Sequence, residues 1–193
     1  MPSDRPVLGF DTSAAHCAAA LLSGGRIVAQ TAEEMGRGQA ERLFPLLEEL
    51  LAGAGIGWRD LARIGVGIGP GNFTGIRISV AAARGLALSL GIPAIGVSSF
   101  DAIRLDAPQA RAAVPAPRDQ VYLRAPGTAP VLIPLAEAGT GLTFPPAPAD
   151  LAARIARAAA TAPPDAPPPA PLYIRAADAA PARDTPPVIL DDA

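Results

Sequence analysis

In the first half of the chain, apolar positions follow two rhythms. Short runs mark strands: VLGFDT (Val7–Thr12), CAAALLS (Cys17–Ser23), RIVAQTA (Arg26–Ala32), Arg63–Gly69 and Ile95–Ser98. Ser23-Gly24-Gly25-Arg26 predicts a hairpin between the second and third, because glycine supplies the positive φ that tight hairpin turns need. Leu43, Leu46, Leu47, Leu50 and Leu51 recur at helical spacing and predict a helix over Gln39–Ala52. Pro45 is expected to kink that helix or to mark its effective start. A second helix is predicted over Ile76–Leu90, stopped by Gly91 and Pro93, and a short one over Ser99–Leu105.

Beyond Pro108 the glycines thin out and prolines take over. Gln120–Ala125 and Val131–Leu135 predict short strands. Asp150–Ala160 predicts a helix with Leu151 and Ile155 on one side. Ala162–Pro171 (APPDAPPPAP) fits neither helix nor central strand and reads as an extended spacer. Leu172–Arg175 is expected to return to the fold, and Asp178–Ala193 to be loosely attached. Three antiparallel strands followed by alternating helices and strands define an α/β fold of the actin, sugar-kinase and Hsp70 (ASKHA) superfold. One well-formed lobe is expected over residues 1–107 and a shortened, degenerate second lobe over 108–193.

Composition narrows the function classes. Half of the residues are apolar, enough for a core without covalent staples. The formal net charge is −2, and the 16 basic residues are all arginine, scattered without a basic run. A chain that gripped RNA alone would show a clustered basic footprint, so RNA contact is expected only alongside a partner. Cys17 is the only cysteine, which excludes an intrachain disulfide and a Cys-based zinc cluster. The N-terminal residues lack the basic region and long apolar stretch of a signal peptide, and no apolar run is expected to span a bilayer. A reducing cytoplasm is the expected setting.

Two strings carry candidate chemistry. Gly69–Gly75 (GPGNFTG) lies between a strand and a helix. Gly69, Gly71 and Gly75 would let the backbone approach a ligand, Thr74 is a candidate N-cap, and helix-end amides would face an anion. The same string also fits a tight strand-to-helix turn that binds nothing. Asp11-Thr12-Ser13 ends the first strand, where the actin-like superfold places an acid that orients a magnesium-bound water. Here Thr12 follows instead of the usual glycine, so Asp11 equally fits a local turn cap. No second carboxylate or phosphate loop stands out in the second half. His16 is the sole histidine; a catalytic zinc site or a Ser–His–Asp triad lacks partners, and no G-x-S-x-G elbow occurs.

Taken together, FDTS at Phe10–Ser13, AERLFPLL at Ala40–Leu47, GIGPGNFTGIRIS at Gly67–Ser79 and GIPAIGVSSFDAI at Gly91–Ile103 resemble the TsaB family. Arg118–Arg124 and Pro171–Ala179 look like the later landmarks of that family. The resemblance implies a non-catalytic subunit of the bacterial machinery that makes threonylcarbamoyladenosine in tRNA. It implies a TsaD-like catalytic paralogue and a TsaE-like ATPase as partners, tRNA contact through the complex, a homodimer as a further candidate state, and no membrane. It implies no cofactor of the chain's own, with nucleotide bound only within the complex. The catalytic paralogue carries V-N-H-x-x-x-H after its own G-I-P segment, and the two histidines hold its metal. The matching residues here are Val97-Ser98-Ser99 and Ile103, which cannot replace two imidazoles, so no metal site is expected. The family usually has an aspartate where this chain has Pro115-Ala116-Pro117-Arg118.

The resemblance also implies partner contact through helices of the first lobe. Candidate interface residues are Leu43, Leu46, Leu47 and Leu50 on one helix and Ala82, Ala83 and Gly85 on the other. The rival functions are a stand-alone actin-like kinase or ATPase and a metallopeptidase-type "glycoprotease".

Overall fold

The computed structural model describes residues 5–163 and 165–174. The expected tail Asp178–Ala193, and Arg175 at the end of the returning segment, lie outside the described residues. Five strands form the first sheet: β1 (Val7–Asp11), β2 (His16–Ser23), β3 (Arg26–Glu34), β4 (Arg63–Gly67) and β5 (Ala94–Val97), in the order β3-β2-β1-β4-β5. β1, β2 and β3 run antiparallel in sequence, and β4 and β5 are parallel to β1. This is the actin-like half-lobe the sequence predicts. Gly24 and Gly25 adopt φ of 54° and 74° in the β2–β3 hairpin, as the dipeptide requires.

Helices cover both faces. α1 (Gln39–Gly53) and α2 (Phe73–Leu90) lie on one face, where Leu8 and Phe10 of β1 meet Leu43, Leu46, Leu47 and Leu51 of α1 and Ala83 of α2. α1 runs unbroken through Pro45, whose ring falls in the second turn, so the helix does not begin there. α2 starts three residues earlier than expected, and Gly91 ends it in the left-handed conformation. At 18 residues α2 also just reaches the length and apolarity of a bilayer-crossing helix, contrary to the sequence reading. It carries Arg77 and Arg84, and one side packs on β4 and α1.

The second sheet holds β6 (Arg111–Ala116), β7 (Gln120–Arg124), β8 (Val131–Pro134) and β9 (Leu142–Thr143), in the order β8-β7-β6-β9. A short α3 (Ser99–Arg104) links the sheets. β6 escaped the sequence reading because Pro115 sits within it. The proline is tolerated because β9 pairs only with Arg111 and Ala112, leaving that flank of Pro115 outside the ladder.

α4 (Pro148–Thr161) departs most from the sequence division at Pro108. By chain position it belongs to the second lobe, yet it packs across β1, β2 and β4 and covers the other face of the first sheet. Gly9 and Gly65 face each other in register on β1 and β4. A Cβ on Gly9 would lie 2.6 Å from Ala152 O and Ala156 N, and one on Gly65 would lie 2.8 Å from Ile155 O. Two adjacent glycines thus make a flat bed on which the helix backbone rests directly. Ala18 and Ala20 of β2 pack with Ala152 and Ala153 beside this bed. Arg63 donates to the carbonyls of Ala159 and Ala162 and closes the end of α4, while Arg154 donates to Ala102 and Ile103 at the end of α3. The proline-rich segment then crosses the first lobe. Pro169 is buried beside Gly96, and Leu172 N donates to Ile68 O at 2.8 Å.

The glycine bed is testable against a glycine that touches nothing. Gly65→Ala should lower the unfolding free energy by about 1–3 kcal/mol, an overpacking cost. Gly85→Ala, on α2 with open space at its Cβ position, should raise it by up to about 1 kcal/mol through helix propensity. Urea denaturation of both variants checks the contrast.

Candidate functional site

The two candidate strings meet at the C-terminal ends of β1 and β4. Parallel pairing of these strands puts Asp11-Thr12-Ser13 beside the loop that leads into α2. The loop closes on the turn through backbone and side chain together. Asn72 N donates to Ser13 O at 2.6 Å, and Thr12 Oγ1 donates to Gly75 O at 2.7 Å. A Cβ on Gly75 would stand 1.9 Å from Thr12 O, and one on Gly71 would stand 2.1 Å from Ser13 O. The glycines therefore admit a close backbone approach, as expected, and the approaching backbone is the chain's own. Gly69 has φ of 97°, and its carbonyl accepts from Ser99 N, tying the loop to α3.

The helix cap differs from the sequence reading. Asn72, not Thr74, caps α2, with its side-chain oxygen accepting from Gly75 N at 3.0 Å. Thr74 falls in the first helical turn and is exposed. Asparagine is among the best N-cap residues, so Asn72 followed three residues later by Gly75 was the available signal.

Asp11 is fully buried and behaves as a local cap. Its Oδ2 accepts from Ser13 N at 3.1 Å, from Ser13 Oγ at 2.9 Å and from His16 Nε2 at 2.7 Å. Its Oδ1 has no partner among the described residues and overlies Gly67, where a side chain would collide with it. Thr12 and Ser13 are buried as well. Cys17, next to His16 on β2, is buried, and desolvation pushes its thiol up to about 11, so it is no nucleophile at neutral pH.

Above this junction a cleft of about 700 Å³ opens toward the second sheet. Ser13, His16, Asn72 and Ser99 stand on one side, and Val114, Pro115, Tyr122 and Phe144 on the other. The second lobe thus contributes an apolar wall where a nucleotide enzyme of this superfold needs a second phosphate loop.

The candidate interface residues separate. Leu43, Leu46, Leu47 and Leu50 are all buried against the lobe's own sheet, as is Ala83, so these candidate interface positions belong to the core. Ala82 is half-buried and Gly85 exposed. With Phe44, Ile78 and Leu86 they line a groove between α1 and α2. Phe44 is 43% exposed and was passed over in the sequence because it adjoins Pro45 and interrupts the leucine series.

If the glycine loop exists to receive Thr12 and Ser13, even a methyl group should harm it. Gly75→Ala is expected to lower the melting temperature by several degrees, and Thr12→Val, which removes the bond to Gly75 O, to cost about 1 kcal/mol. Thermal unfolding followed by circular dichroism checks both.

Residues 6–132, more than half of the chain, match the family model described as TsaD: tRNA N6-adenosine threonylcarbamoyltransferase. The chain is 36% identical over 94 residues to the tRNA threonylcarbamoyladenosine biosynthesis protein TsaB of Escherichia coli, covering 49% of this chain and 40% of that protein. It thus spans less than half the length of that curated relative. Among solved structures it is similar to YeaZ from Pseudomonas aeruginosa, with 29% identity, a TM-score of 0.59 and 70% of each chain covered. An uncharacterised protein from Pseudomonas aeruginosa described as similar to peptidase YeaZ shares the fold, with 24% identity and a TM-score of 0.68 over 89% of this chain and all of that one. Family model, curated relative and YeaZ structure agree, and the chain belongs to the TsaB (YeaZ) family of TsaD-like proteins.

Proposed function

We propose that this chain is an accessory, non-catalytic subunit in the synthesis of threonylcarbamoyladenosine in tRNA, binding a TsaD-like catalytic paralogue and holding it in an active form. One observation carries the reading: the use to which Ser98, Ser99 and Ile103 are put. The resemblance aligns Ser99 and Ile103 with the two metal-binding histidines of the transferase. Ser98 caps α3, accepting from Asp101 N at 3.1 Å. Ser99 is buried with its N–H on Gly69 O, and Ile103 is core, packed with Phe100 and Val114. Capping and packing thus claim the positions that a metal would need. The name of the Escherichia coli relative, a tRNA threonylcarbamoyladenosine biosynthesis protein, supports the pathway assignment.

In this reading a TsaE-like ATPase completes the assembly, and tRNA meets the chain through the complex. The chain has no cofactor of its own, and nucleotide enters only once the complex has formed. The groove between α1 and α2 receives the paralogue, and the same groove serves a homodimer when the paralogue is missing. Phe44 stands beside small residues, Ala82 and Gly85, that admit a partner helix closely.

Two measurements test this. The isolated chain should transfer no threonylcarbamoyl group to tRNA, while adding it to the TsaD-like and TsaE-like proteins should raise modification severalfold. Turnover by the isolated chain would sink the non-catalytic assignment. Phe44→Glu should weaken binding to the TsaD-like protein about thirtyfold or more, the loss of one hot-spot side chain, with an unchanged melting temperature. Leu47→Glu, by contrast, should unfold the lobe.

A further inference from the structure

We infer that the cleft between the two sheets binds an uncharged, flat aromatic molecule bearing an O–H or N–H donor at one end. The volume of about 700 Å³ is that of a small-molecule site, and such sites are mostly apolar with a few convergent polar groups. Phe73, Val114, Tyr122 and Phe144 supply the apolar surface, and Pro115 and Pro146 stiffen it. Phe73 is already stacked on Tyr173 at 4.9 Å with the Arg77 guanidinium 5.1 Å from its centroid, but Phe144 remains 44% exposed, so a ring laid against it would remove apolar surface from water. Among the described residues, no Asp, Glu or Arg side chain lines the cleft. A polyphosphate would therefore shed its hydration without gaining a counter-charge.

The polar end is set by His16, whose residue is 6% exposed and forms part of the cleft wall. With Asp11 ionised its Oδ2 only accepts, so the contact needs a proton on His16 Nε2. Asp11 is itself held by Ser13 N and Oγ, which fixes the orientation of the pair. Nδ1 makes no hydrogen bond within the described residues. In the neutral ring it is an acceptor on the polar side of the cleft, where a ligand donor would meet it. Ser99 and Asn72 stand on the same wall as further polar groups. This inference concerns a ligand of the chain itself and stands apart from the subunit role proposed above.

The probes are p-cresol and toluene, which share a methylated ring and differ only in the hydroxyl, with magnesium ATP as the charged comparison. Binding to the full chain is read by amide-resonance NMR titration. p-Cresol should bind about fivefold more tightly than toluene, the increment expected of one neutral hydrogen bond. Magnesium ATP should not displace it. Ala14→Trp, at an exposed position on the cleft rim, should abolish p-cresol binding while the amide spectrum stays that of a folded protein. Phe144→Ala should weaken both probes alike. Failure of both probes to bind, equal affinity for the two, undiminished binding to the Ala14→Trp variant, or displacement by magnesium ATP would each overturn the inference.

Discussion

The fold depends on the direct contact between the backbone of α4 and two glycines in the middle of the first sheet. β1 and β4 are parallel neighbours, and their register sets Gly9 against Gly65. With hydrogens in place of side chains, the helix settles onto the strands, and its alanines fill what little space is left. Ordinary side chains at these positions would hold the helix away from the sheet. The chain's last described helix then could not reach the core that Val7, Ile95, Leu151 and Ile155 share. Because α4 follows the second sheet in sequence, its return also joins the two halves. Arg154 reaches the end of α3, and Arg63 closes the end of α4.

Glycine serves a second close approach at the other end of the same strands. There the backbone of Thr12 and Ser13 occupies the space that Gly71 and Gly75 keep free. In a phosphate-binding loop that space and its amides belong to an anion. Here the Asn72 amide is committed to Ser13 O and the Gly75 amide to the Asn72 side chain. The junction is a rigid corner joining β1, β4 and α2, and the Ser99–Gly69 bond extends it to α3. That rigidity fixes one wall of the cleft and positions α2 for its groove with α1.

Most elements of the first lobe were legible because each is long enough to show its period. The short apolar runs of β1 and β2, the glycine hairpin and the leucine spacing of α1 all follow from local rules. What failed were questions that need a third dimension. Leucine spacing gives the apolar face of α1 but not its depth, and a two-sided sheet buries more than one helix face suggests. The strand β6 was hidden by Pro115, whose penalty vanishes because the neighbouring strand stops short. The placement of α4 was invisible because the glycines that receive it lie far upstream, at Gly9 and Gly65. Both sit in strands where a lone glycine usually signals a bulge or a close approach; the sequence shows the gap but not the helix that fills it.

The same logic bears on the proposed non-catalytic role. A glycine loop records that something approaches closely, and it is silent about whether that thing is a ligand or the protein itself. The residue after Asp11 decides between the two. A glycine there would leave the turn open, whereas Thr12 brings a hydroxyl that bonds Gly75 O and draws the turn into the loop. Asp11 is then enclosed, with one oxygen shared among Ser13 and His16 and the other over Gly67. Enclosure costs the carboxylate its access to a metal-bound water. Thr12 beside the first strand thus ties the turn and the glycine loop into a structural corner. This corner and the helical outer surface of the lobe are the features that the proposed supporting role needs.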